Sequence, residues 1–184
     1  MKLSEIITKF VNQQEKKERQ TGRYYASEIY DIIKKRITPE NFFEEKSLID
    51  EFGAKCISSG IASEEYLDKV FKEMNIDYTY QPKKEIQITE EVVLVVKPDF
   101  QFSDFIVEVK NPVKIYETIP EKWIYQLECE YRAFYLPVYL WQISHPFSVK
   151  QTAFVPSKQR WNKIIETLLE FHQKLKVLNQ KRSL

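Results

Sequence analysis

Apolar positions recur along this chain at two periods, and the period changes partway. Over 3–20 and again over 24–36 they return every three or four residues. Ile29, Ile32, Ile33 and Ile37 mark one such stripe, so the pattern predicts a helix that Thr38-Pro39 stops. Residues 39–45 add a short turn. From 47 to 74 the period is again helical: Leu48, Ile49, Phe52 and Cys56 form one stripe, and Leu67, Val70, Phe71 and Met74 another, with Gly60 between them. The texture then shifts to period two. "EIQIT" alternates, "EVVLVV" is a β-branched run, and "DFIVEVK" alternates again, which predicts three strands joined by tight turns. Helical spacing returns over 120–135, where Pro120 suits a first turn and Trp123, Ile124, Leu127, Tyr131 and Phe134 share a face. "PVYLWQI" (137–143) is apolar on both faces and predicts a buried inner strand. An amphipathic helix over 157–178 closes the chain, with Trp161, Ile164, Ile165, Leu168, Leu169 and Leu175 inward.

Helices, three strands, helix, strand, helix is an α/β order. A strand–helix–strand crossover calls for at least one parallel strand pair covered by helices on both sides. The 184 residues suit a single domain (1–184) with a core over about 24–143 and helical additions at 1–23 and 150–184.

Composition narrows the picture modestly. No apolar run approaches the roughly 18 residues of a membrane span. "MKLSEIITKF" lacks the layout of a signal peptide. A cytoplasmic protein without a membrane partner is expected. Two cysteines, Cys56 and Cys129, cannot build a four-cysteine metal or cluster site. Net charge is +1, but eight basic residues against two acidic ones between Lys150 and Leu184 give a local +6. Alone, that reads as a solvated helix face.

Charges inside the strand-rich segment change the picture more. "KPDFQFSDFIVEVK" (97–110) interrupts its apolar runs with Lys97, Asp99, Asp104, Glu108 and Lys110. Strand side chains alternate, so Glu108 and Lys110 share a face, roughly 6.6–6.8 Å apart along the strand. Asp99 is expected to end the preceding strand, and a turn over about 100–103 would bring it back beside that face. Two close carboxylates repel, and a bound divalent cation removes the repulsion. Hard oxygen ligands suit Mg²⁺. A metal-bound water deprotonates more readily, and the metal stabilises charge on a phosphate. Lys110 could orient that water or neutralise the phosphate. The constellation fits phosphodiester hydrolysis.

Pro98-Asp99, eight residues, then Glu108-Val109-Lys110 resembles the motif of the PD-(D/E)XK nuclease superfamily. The resemblance spans roughly 24–143. It implies a restriction-endonuclease-like αβββαβ core: a mixed sheet flanked by helices, here with extra N- and C-terminal helices. It also implies Asp99, Glu108 and the Val109 carbonyl as ligands of Mg²⁺ or Mn²⁺, and Lys110 as the catalytic lysine.

The RecB-like branch, which includes CRISPR-associated exonucleases, has a glycine, three residues, then a metal-binding histidine. Gly60-Ile61-Ala62-Ser63-Glu64 puts Glu64 at that position. Helical geometry agrees: Glu64 lies nearer the Leu67/Phe71 face than Glu65, the second choice. The branch also has a glutamine followed four residues later by a tyrosine. Gln126 matches, but its fourth successor is Glu130 and the tyrosine is Tyr131. The iron–sulfur cysteines of many relatives are absent. Lys122, Tyr131 and Arg132 are candidate DNA contacts.

The expected function is therefore a metal-dependent DNA nuclease, in the first place a RecB-like exonuclease. The rivals are a junction-resolving or restriction-type endonuclease, a resolvase requiring a homodimer, and a nuclease-like fold that binds nucleic acid without cutting. Set against all of these is a plain half-exposed strand pair whose charges face water. His145, His172 and the three tryptophans read as incidental or core.

Overall fold

The computed structural model describes residues 2–13, 19–44, 48–144 and 148–182. In chain order the elements are α1 (Leu3–Gln13), β1 (Arg23–Tyr25), a 3-10 turn (Ala26–Glu28), α2 (Ile29–Ile33), α3 (Glu51–Glu73), β2 (Thr79–Tyr80), β3 (Lys84–Thr89) and β4 (Val92–Val96). There follow β5 (Phe100–Gln101), β6 (Ile106–Lys110), α4 (Glu121–Phe134), β7 (Val138–Ser144), β8 (Ser148–Ala153) and α5 (Lys158–Arg182). The protein is mixed α/β, as expected, with helices packed on its sheets. Among the described residues, no helix is long and apolar enough to cross a membrane.

The strands form two mixed sheets, ordered β1-β4-β3 and β2-β5-β6-β7-β8. β4 is the centre of the first: it pairs parallel with β1 and antiparallel with β3. Its β-branched run buries Val92, Leu94, Val95 and Val96. In the second sheet β6 pairs antiparallel with β5 and parallel with β7, so the helix α4 is the crossover that a parallel pair requires. β6 separates two apolar clusters. Ile106 packs with α2, α4 and α5 (Ile29, Leu127, Ile164, Leu168). Val107 and Val109 pack on the other face with Phe71 of α3, Phe100 and Phe102.

The structure corrects several expected boundaries. Residues 24–36 do not form one helix. Arg23–Tyr25 is a strand against β4, and α2 is only five residues long, ending before Lys35, which takes a left-handed φ of 56°. Tyr24 is the reason. Its ring is fully buried between Phe42 and Phe171, which anchors the backbone extended beside β4. The first helix is described over Leu3–Gln13, and Gln20 is not helical but bridges to Arg23; residues 14–18 of the expected helix lie outside the described residues. α3 starts at Glu51, where Asp50 caps it by accepting from the Gly53 N–H. β2, β5 and β8 were not anticipated. β8, "SVKQTA", is polar and alternates weakly, and its pairing with β7 is what makes β7 an inner strand. His145 lies outside the described residues.

Candidate active site

β6 positions the first two groups of the site. Its alternation sends Val107 and Val109 into the apolar cluster and leaves Glu108 and Lys110 on the face toward α4. Glu108 is almost wholly buried, and Lys110 is half-buried at the strand end. The Lys110 ammonium donates to Glu108 Oε1, and Gln126 Nε2 on α4 donates to the same oxygen at 2.5 Å. Glu108 Oε2 is buried with no hydrogen-bond partner.

Asp99 reaches the site by a different path from the one its sequence spacing suggested. It does not end the preceding strand. β4 stops at Val96, and Asp99 sits in the Lys97–Asp99 link to β5, while the turn falls at 102–105, closed by Phe102 N–H to Phe105 C=O at 2.9 Å. The β5–β6 pairing then sets Asp99 beside Val109, whose N–H donates to Asp99 Oδ2 at 2.7 Å.

α3 brings the third acid. Glu64 lines the same cavity as Asp99 and Glu108, whereas Glu65 is exposed and outside it. Two contacts fix this approach. Asn111, immediately after Lys110, bridges α3 by accepting from Ser59 Oγ at 3.0 Å and donating to Ser63 Oγ at 2.7 Å. Two turns onward, Phe71 packs edge-to-face on Tyr78, Phe100 and Phe102.

The result is a cavity of about 270 Å³ lined by Glu64, Asp99, Glu108, Lys110 and Gln126, together with Tyr25, Ser27, Gln81 and Lys97. None of the last four is a candidate site residue in the sequence, because β1, the 3-10 turn, the β2–β3 link and the β4–β5 link each deliver one of them. The only prior signal was the lysine next to Pro98-Asp99. A larger hollow of about 590 Å³ over α4 and α5 brings together Tyr125, Arg160, Lys163 and Glu166 but no pair of acids, so the chemistry lies in the smaller cavity.

Electrostatics reflect the crowding. Burial, then the charges of Glu108 and Glu64, holds the Asp99 carboxyl well above its usual range. Glu64 is also raised, by burial and then by Glu108. Burial opposes the charge on Lys110, but Glu108 and Asp99 outweigh it and push its pKa up, so it stays an ammonium. Glu130, one helical turn after Gln126, is fully buried, and neither oxygen has a partner as a carboxylate. Burial, then the charge of Glu108, pushes its pKa well up, which favours the protonated form.

Of the other expected contacts, Arg132 is committed elsewhere. Its guanidinium pairs with the buried Glu128, whose second oxygen takes Arg160 and the Ser157 N–H. Tyr131 packs against the core and Lys122 lies over Trp123. None of these three lines the cavity.

The cavity fits a divalent cation chemically. It holds three carboxylates, of which Asp99 and Glu64 are held above their usual range by burial and by the charge of Glu108, and only two ammonium groups in the lining. Among the described residues, no three acidic, histidine or cysteine side chains already converge as a finished ligand set. Holding a cation would take side-chain rotation within the cavity.

No protein-family model and no curated protein matches the chain. Solved structures do match in fold. The structure of SSO0001 superposes with a TM-score of 0.67 at 14% identity, covering 95% of this chain and 87% of that one. The alkaline exonuclease LHK-Exo from Laribacter hongkongensis, in complex with dAMP, gives 0.60 at 12% identity, covering 89% and 94%. A phage-related exonuclease from Haemophilus somnus 129PT gives 0.54 at 10% identity, covering 83% and 94%. The chain therefore has a fold shared with exonucleases.

Proposed function

We propose that this protein is a Mg²⁺- or Mn²⁺-dependent nuclease of the PD-(D/E)XK type that hydrolyses phosphodiester bonds in DNA, in the manner of a RecB-like exonuclease. The carrying observation is one cavity that joins Asp99 of the β4–β5 link, Glu108 and Lys110 of β6 and Gln126 of α4 with Glu64 from α3. The fold shared with two exonucleases supports the same reading.

In this reading Asp99, Glu108, Glu64 and the Val109 carbonyl hold the cation. The bound cation supplies a readily deprotonated water and charge stabilisation at the phosphate. Lys110, kept protonated by its acidic neighbours, orients that water or neutralises the phosphate as charge develops. Gln126 fixes the rotamer of Glu108 by donating to Oε1. Lys122 at the start of α4 remains exposed enough to meet a DNA backbone.

The test is cleavage of labelled linear and circular DNA, single- and double-stranded, with Mn²⁺ or Mg²⁺. Wild type should cut linear DNA only with metal present. Lys110→Ala, with unchanged thermal unfolding, should lose roughly 10²–10³-fold. Cutting of circular duplex would favour an endonuclease. Equal cutting by both proteins, or none on any substrate, would reject the nuclease assignment.

A further inference from the structure

Gln81 touches three parts of the cavity at once. Its backbone N–H donates to the Asp99 carbonyl at 2.8 Å. Its amide nitrogen donates to Glu64 Oε2 at 3.3 Å, and its amide oxygen accepts from Lys97 Nζ at 2.6 Å. Which end of the amide faces which partner follows from chemistry. An ammonium can only donate and a carboxylate can only accept, so oxygen must face Lys97 and nitrogen must face Glu64. The charge on Lys97 then polarises the amide and strengthens its donation to Glu64.

The backbone at Gln81 has φ 49°, a left-handed conformation unusual for a residue with a side chain. Such conformations persist where the surroundings demand them, often at functional sites. Here the geometry has a visible consequence. It turns the chain between β2 and β3 so that the N–H meets Asp99 while the side chain enters the cavity.

We propose that Gln81 is a positioning residue for the metal site. It ties the helix acid Glu64 and the strand-link acid Asp99 into one frame, and Lys97 fixes its amide orientation. This rests on the metal-dependent reading given above. Without Gln81, Glu64 on α3 loses the hydrogen bond that restricts its rotamers, and closing the ligand set costs that freedom on each binding event.

The experiment is direct titration of metal-free protein with Mn²⁺ by calorimetry, which needs no catalysis. Gln81→Met keeps length and volume but neither donates to Glu64 nor accepts from Lys97. Gln81→Gly also removes the side chain while accepting the positive φ, and unchanged thermal unfolding of both variants shows that a loss of binding does not come from misfolding. Wild type should bind Mn²⁺. Both variants should bind it roughly 10- to 100-fold more weakly, the usual consequence of losing a partner that orients a ligand. Wild-type affinity in both variants would overturn the role of Gln81 while leaving the metal reading intact. No Mn²⁺ binding by wild type would overturn the metal reading and this role with it.

Discussion

Asp99 has one carboxylate oxygen bonded to the Val109 N–H, and the whole group sits against Glu108 and Glu64. Asn is nearly isosteric and keeps an oxygen to accept the Val109 bond while removing the charge. Asp99→Asn should therefore stabilise the metal-free protein at neutral pH, raising Tm by about 2–4 °C for each ~1 kcal/mol of repulsion removed, while abolishing Mn²⁺-dependent cleavage. Differential scanning calorimetry in EDTA checks the first half; a lowered Tm would mean the acids are not in conflict. At this scale the sequence was most legible for the strand pair. Glu108 and Lys110 follow from period two alone, and Glu64 over Glu65 from helical angle. Gln81 and Lys97 were illegible as partners, because a side-chain amide bridging a helix to a strand link leaves no periodic trace.

Among the elements, β1 depends on its entry. Gly22 takes φ +84°, and a Cβ there would lie 2.3 Å from the Glu91 carbonyl oxygen. That crowding exists because the Gly22 carbonyl accepts from Val93 N–H at 2.8 Å, starting the parallel β1–β4 pair. Gly22→Ala should cost about 2 kcal/mol or more through backbone strain at an incompatible φ, read as a drop in the urea midpoint. An unchanged midpoint would mean β1 can shift without loss. The helical period over 24–36 misled because Ile29, Ile32 and Ile33 genuinely share a stripe. The same aromatic-rich stretch "RYY" satisfied a strand once β4 was available to pair with it, and tertiary pairing overrode local pattern. The crossover α4 and the strands flanking it were legible because their periodicity and their burial agree.

Across the whole molecule, the acids of the cavity set the pH response. Asp99, Glu64 and Glu130 hold protons more tightly folded than unfolded. For an acid with a raised folded pKa, the folded state binds more protons, so stability falls as pH rises from the ordinary carboxylate range through the raised values. Surface acids such as Glu85, Glu91 and Glu117 are shifted down by their Arg or Lys partners, and their opposite effect is complete below that range. Metal-free protein should therefore lose Tm as pH rises above the ordinary carboxylate range. Mn²⁺ should restore it, more strongly at the higher pH because protons and cation compete for the same oxygens. A metal-free Tm that is flat or rises with pH above that range would contradict the picture.

What the sequence alone determined is the class of fold and the chemical character of one strand face. Period-two runs around a helical crossover permit few topologies, and strand alternation puts Glu108 and Lys110 together whatever the rest of the chain does. What only the tertiary structure decided is who meets them. The β5–β6 pairing sets Asp99 against Val109, the Asn111 bridge and the packing of Phe71 aim Glu64, and a left-handed turn at Gln81 links the two acids. Those choices depend on contacts between segments far apart in sequence, and local pattern carries no record of them.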